Sequence, residues 1–173
     1  MPDDIRYPIG QPALLPQLDP DTRRWRIRAL ETAPGKLRRL VEALSSHQLD
    51  QPLRPGAWTL RQLIHHLADI QVLGYLHFRW ALTEDEPACQ PYNPEAWAAL
   101  PDIAQGPIGL SLRMLEGLHA RWSFLLLKMD EADFARLTHH PERGPLTLDQ
   151  LLDFYAWHAE HHIAQIQVTL TQR

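Results

Sequence analysis

Three histidines, His158, His161 and His162, crowd into the run Tyr155-Ala-Trp-His-Ala-Glu-His-His-Ile-Ala-Gln165. Imidazole is a neutral nitrogen donor for borderline metals such as zinc and nickel, and two imidazoles four residues apart on a helix project from one face, a turn apart. His158 and His162 have that spacing. At about 100° per residue, His162 falls about 40° from His158, on the side of Tyr155, Ala159 and Ile166, while His161 falls about 60° to the other side. His162 is therefore the inward partner. Upstream, Leu63, His66, Ile70, Leu73 and His77 advance by three or four residues, which puts His66 on an apolar stripe and His65 about 100° off it.

Together His66, His158 and His162 are the expected ligands of one divalent ion per chain, three nitrogens that leave a coordination position open for water or substrate. Uncharged ligands leave the ion its full charge, which lowers the pKa of a bound water or thiol. The competing reading makes them hydrogen-bonded core histidines. Asp69, three residues after His66, is the candidate supporting residue of a catalytic site, placed to accept that ring's other N–H, or else to pair with His65 at the surface. Glu160 points about 200° away from His158, and Ala159 stands where the metalloprotease helix has its glutamate, so that mechanism is not expected. His139 and His140, in Thr138-His-His-Pro-Glu-Arg-Gly144, are expected on a solvent-exposed connection.

The elements that must position these residues announce their own starts. Thr59-Leu-Arg-Gln62 and Thr147-Leu-Asp-Gln150 both have the form of a capping box, so the two histidine helices begin alike. The first should run to Thr83, where Glu84-Asp-Glu-Pro87 stops it. Asp19-Pro20 opens another helix, whose apolar residues from Trp25 to Leu44 are interrupted by a kink or short break at Pro34-Gly35. Its arginines, Arg23, Arg24, Arg26, Arg28, Arg38 and Arg39, read as a solvated face. Asn93-Pro94 starts a short helix through Trp97, residues 107–129 form a further long one, and 130–146 read as a surface connection. Residues 1–19 are an extended arm laid on the surface. With no convincing run of alternating β-branched residues, the expectation is an all-α four-helix bundle, a single domain over 1–173.

Composition excludes several classes. Seventeen Lys and Arg against 21 Asp and Glu, a net charge of −4, argue against a nucleic-acid partner. The single cysteine, Cys89, excludes an internal disulfide and a Cys-rich zinc site. Apolar runs such as Phe124-Leu-Leu-Leu127 are far short of a membrane span, and the polar start does not look like a signal peptide, so no membrane partner and a cytoplasmic location are expected.

Tyr7-Pro-Ile-Gly10, Trp58 through Asp69, Ala81 through Pro87, Tyr92 through Trp97 and Tyr155 through His162 together resemble the YfiT branch of the DinB superfamily, over nearly the whole chain. The resemblance implies a four-helix bundle, a homodimer, and one divalent metal on three histidines that by motif fall on His66, His158 and His162. Members are provisionally labelled metal-dependent hydrolases, and related ones transfer low-molecular-weight thiols such as bacillithiol or mycothiol to electrophiles. The expected function is thiol S-transfer on a zinc or nickel site, because no protein nucleophile stands out and a thiolate is a strong nucleophile needing little help from a base. Hydrolysis by metal-bound water is the alternative, and a non-enzymatic metal-binding stress-response module the second. His77, Arg79, Tyr92 and Gln165 are candidates for the substrate pocket.

Overall fold

Residues 6–141 and 143–172 are described in the computed structural model of the chain. The elements in order are α1 (Pro20–Val41), α2 (Ser46–Leu49), α3 (Leu60–Thr83), α4 (Pro94–Ala98), α5 (Pro101–Gln105), α6 (Ile108–Leu126), α7 (Glu131–Phe134), the strands β1 (Leu137–His140) and β2 (Gly144–Thr147), and α8 (Leu148–Thr171). Local chemistry sets the starts. The Asp19 carboxylate accepts the amide N–H groups of Asp21 and Thr22 ahead of Pro20. Thr59 and Thr147 each accept from the amide three residues on, and Gln62 and Gln150 reach back to complete the capping boxes.

The four long helices form the bundle. Each packs against two neighbours, in the cyclic order α1, α6, α3, α8, so that α1 and α3, consecutive long helices in the chain, are not side by side. Leu30, Leu37, Ile64, Leu67, Leu115, Trp122, Leu152 and Ala159 close the interior between them. No helix is long and apolar enough to cross a membrane among the described residues. Residues 6–18 of the arm lie along α8, tied by Trp157 Nε1–H to Gly10 O (3.1 Å), Gln150 Nε2–H to Leu14 O (3.4 Å) and Thr147 Oγ1–H to Pro16 O (3.1 Å). The expected arm at 1–5 lies outside the described residues.

Four local expectations are corrected. α1 runs unbroken through Pro34 and Gly35. Proline has no N–H to give the carbonyl four residues back, and His119 on α6 gives its own: Nδ1–H donates to Leu30 O at 2.6 Å, in a site where His119 is 1 % exposed. Nor are all the α1 arginines solvated. Arg23 is buried, bonding both Asp149 oxygens at 2.8 Å, and Arg26 pairs with buried Asp153 at 2.6 Å. Asp149 also accepts the Leu18 amide N–H at 3.0 Å, so one buried carboxylate joins the arm, α1 and α8. His65 is buried as well, because a second surface covers it: Ser111 Oγ lies 2.7 Å from Nδ1 and Gly106 O 3.1 Å from Nε2. Lastly, the connection at 130–146 holds α7 and an antiparallel ribbon pairing Leu137 with Thr147 and His140 with Gly144. The ribbon is anchored by exchange of backbone bonds with the segment after α3, His139 N–H to Pro87 O (2.9 Å) and Cys89 N–H to His139 O (2.8 Å), a non-local pairing.

Candidate metal centre

The capping boxes set the start of each histidine helix, and the packing of α3 against α8 brings them face to face. His66 comes from the first half of α3, His158 and His162 from the middle of α8, and one ring nitrogen from each lies within 4.8 Å of the others. Across one turn of α8, His158 Nε2 and His162 Nε2 stand 3.1 Å apart. Two nitrogens bound to one tetrahedral zinc at the usual bond length stand about 3.3 Å apart. The spacing suits a shared ion.

Protonation follows from the partners. Gln165 Oε1 lies 2.8 Å from His162 Nδ1, so that nitrogen donates, and Nε2 keeps its lone pair. His158 Nε2 faces this lone pair, and its Nδ1 is buried with no hydrogen-bond partner among the described residues. With the proton on Nε2 His158 donates to His162 across 3.1 Å; with the proton on Nδ1 two lone pairs oppose each other there, an arrangement that a cation relieves. His66 Nδ1 lies 3.5 Å from the Tyr92 hydroxyl, and the His66 ring meets those of His158 and His162 at centroid distances of 5.5 and 5.2 Å. Burial pushes His66 down to about 4, and burial followed by the neighbouring imidazoles pushes His162 to about 3 and His158 well below the usual histidine range. All three are neutral donors at pH 7. The donor set therefore fits a divalent ion.

A cleft of about 550 Å³ opens onto His158 and His162. Tyr7, Trp58 and Trp157 wall it and Arg6 and Arg54 line it. Trp58 sets its ring edge-on to His66 at 4.8 Å and donates its indole N–H to Glu95 Oε2 at 2.9 Å. Gln165 has a second bond, Nε2–H to Arg6 O at 3.3 Å, which joins the arm to the residue that orients His162.

The structure separates the remaining candidates. His161 is buried, but its ring stacks on Trp157 at 4.6 Å and meets Tyr7 at 5.8 Å. Asp69 is half-buried and makes no hydrogen bond to His66 among the described residues; the Tyr92 hydroxyl faces that ring instead. Its carboxyl is pushed up to about 6 by burial and by Asp102. Glu160 pairs with Lys36 at 2.6 Å, and His139 with Glu86 at 2.9 Å. Arg79 donates to Tyr75 Oη at 3.1 Å, and His77 is bonded to Tyr155. Of the cleft residues that periodicity did not point out, Trp157 sits beside His158 in sequence, whereas nothing in its own neighbourhood marks Arg54.

Fold and cluster together define a helical bundle with a set of three histidines, one buried and two half-buried, shared by two neighbouring helices. The chain belongs to the DinB superfamily, whose family model matches residues 29–166. It is similar to a protein of Bacillus mycoides (strain KBAB4), 40 % identical over 163 residues that make up 94 % of each chain, and to one of Bacillus cereus (strain 03BB102), 40 % identical over 164 residues, 95 % of this chain and 94 % of the other; both are provisionally named metal-dependent hydrolases. The structure of YfiT from Bacillus subtilis, provisionally described as a metal-dependent hydrolase with an unusual four-helix bundle topology, is similar with a TM-score of 0.94 and 38 % identity over 97 % of both chains. A mycothiol-dependent maleylpyruvate isomerase, 20 % identical with a TM-score of 0.59 over 83 % of this chain and 60 % of its own, shares the fold.

Proposed function

We propose that the chain, acting as one domain and as a homodimer, is a divalent-metal-dependent enzyme that transfers a low-molecular-weight thiol to an electrophile, with one zinc or nickel ion held by His66, His158 and His162. The observation that supports this most is the convergence of one ring nitrogen each from His66, His158 and His162 within 4.8 Å, with the last two lining an open cleft. An ion bound to neutral ligands lowers the pKa of a thiol or water that joins it and so supplies a nucleophile near neutral pH. The chain supplies the rest. Gln165 holds His162 in the Nδ1–H tautomer, and the Tyr92 hydroxyl stands against His66. Trp58, Trp157 and Tyr7 narrow the approach, while Arg6 and Arg54 add positive charge that favours an anionic thiol compound. Asp69 stands at one remove from the site: burial first, and the Asp69 carboxyl after it, push the Tyr92 hydroxyl up to about 12.

In the transfer the sulfur–carbon bond forms as the bond from that carbon to its leaving group breaks, and the thiol proton passes to solvent. Thiol ranks ahead of water because a thiolate needs no base, and the carboxylate on the cleft wall, Glu95, already accepts the Trp58 indole N–H. Hydrolysis is the second reading, favoured by the names of the Bacillus relatives and by Glu95 itself as a base. The exposed Leu110, Met114 and Phe124 on α6 offer an apolar face for the second copy, and a sedimentation mass of two chains is expected.

Elemental analysis tests the ligand set. About one ion per chain is expected in the parent protein and in His161→Ala, and loss of the ion in His158→Ala. Retention in His158→Ala with loss in His161→Ala overturns the assignment. Gln165→Ala is expected to weaken metal binding by about 10–100-fold. Incubating the metal-loaded protein with an aryl halide and a panel of cellular thiols, beside ester and amide substrates, tests the reaction. Hydrolysis without conjugate formation reverses the order of the two readings, and inactivity in both assays makes the chain a metal-binding module.

A further inference from the structure

His158 also lines a second pocket, a cavity of about 290 Å³ that opens past the exposed Gln90, Pro91, Pro141 and Arg143. The cleft and the cavity share His158, and Tyr92, whose hydroxyl faces His66, lines the cavity as well. Its walls are unlike those of a packing defect, which would be apolar throughout. Ile70, Leu73 and Phe154 provide an apolar lining, and the deepest polar groups are the Tyr155 hydroxyl and His77, 2.9 Å apart through Nδ1. Both are buried, Tyr155 at 3 % and His77 at 5 % exposure, and His77 Nε2 has no hydrogen-bond partner among the described residues.

In either protonation pattern the pair keeps one proton without an acceptor. If Tyr155 donates to His77 Nδ1, the imidazole carries its own proton on Nε2, a buried donor without an acceptor. If His77 Nδ1–H donates to Tyr155, the phenol proton is free for another acceptor. Burial pushes His77 down to about 4, so the ring is neutral and holds one proton at pH 7 in both cases. A buried donor without a partner costs about 1–3 kcal/mol, and a ligand oxygen that accepts from it recovers that cost. The volume, at the small end for ligand sites, admits one ring with short substituents.

We propose that this cavity is a second ligand site that takes a small aromatic carbonyl compound, its ring between Leu73 and Phe154 and its oxygen on the Tyr155–His77 pair, and that in the reaction proposed above it holds the electrophile, an aryl ketone whose neighbouring carbon carries the leaving group that the thiol displaces. The second clause rests on that reaction; the binding itself does not. His158 is then the partition between the two substrates, open to the nucleophile on one side and to the acceptor on the other.

Cys89 reports on the site, because it is the only thiol in the chain, lines the cavity, and is 3 % exposed. The experiment uses the metal-loaded protein, acetophenone as the probe, and saturation-transfer NMR together with the rate of Cys89 alkylation by iodoacetamide. Acetophenone is expected to bind at millimolar concentration and to slow Cys89 alkylation, and Leu73→Trp, which fills the cavity, is expected to abolish both effects with metal content unchanged. Tyr155→Phe, which removes the hydroxyl alone, is expected to weaken binding by about five- to tenfold. No binding, binding that leaves the alkylation rate unchanged, or equal binding by Leu73→Trp overturns the proposal. Absence of thiol transfer with Cys89 still protected defeats only the reaction, so the two failures are distinguishable.

Discussion

Replacing His119 should destabilise the protein through a proline 85 residues earlier in the chain, and the size of the effect should depend on that proline. Pro34 cannot donate to Leu30 O, and the imidazole of His119 closes the gap at 2.6 Å from a site that is 1 % exposed. His119→Phe keeps a ring of similar breadth but leaves a buried carbonyl unpaired, which costs about 1–3 kcal/mol. Replacing the imidazole also removes Nε2, itself buried without a partner among the described residues, so the net loss should fall near the lower half of that range, about 1–2 kcal/mol. In a Pro34→Ala background the new amide N–H can take the Leu30 carbonyl, and the same His119→Phe change should then cost little. Urea unfolding of the four proteins gives the coupling, which is expected at about 1 kcal/mol or more. Equal costs in the two backgrounds would refute the assignment of His119 as the donor that lets α1 pass through Pro34.

His119 also makes stability depend on pH. Burial pulls it from the usual 6.5 down to about 4, so the unfolded chain takes up the proton first as pH falls. Its contribution is complete above about pH 6.5 and is lost between there and pH 4; from pH 7 to pH 5 the loss is about 2 kcal/mol, a portion of the acid sensitivity that His119→Phe should remove in urea titrations at the two pH values. At Gly74 a Cβ would meet Trp122 at 2.7 Å and the Tyr155 ring at 2.8 Å, whereas at Gly117 it meets nothing within 4 Å. Gly74→Ala should therefore lose about 1–3 kcal/mol to overpacking even after its gain in helix propensity, and Gly117→Ala should gain up to about 1 kcal/mol, read as opposite shifts of a few degrees in Tm; a Gly74→Ala protein as stable as the parent would show that α3 and α8 can separate at no cost.

The five buried histidines and the two half-buried ones beside them show how far a sequence reading of this fold reaches and where it stops. Periodicity placed His66 on the core stripe of α3, where it is buried; it also took His162 rather than His161 as the inward residue of α8, whereas His161 is the more covered of the two because Trp157 and Tyr7 lie over it. It could not say that His65 would be buried too, because its cover, Ser111 and Gly106, comes from α6 and the turn before it. The same limit explains Arg23. Its spacing on α1 looks solvated, and its partner Asp149 is supplied by the far end of the chain. What distinguishes the buried imidazoles is what their nitrogens meet. His119 meets a carbonyl, His65 a hydroxyl and a carbonyl, and His77 a phenol, each the ordinary partner of a core histidine. His158 and His162 meet each other with His66 alongside, and an imidazole cannot satisfy another's bare nitrogen when both protons lie on the outer side. Burial alone therefore marks no histidine as a ligand here. The mark is three ring nitrogens, one from each of His66, His158 and His162, converging within 4.8 Å, and it appears only once the helices have been packed.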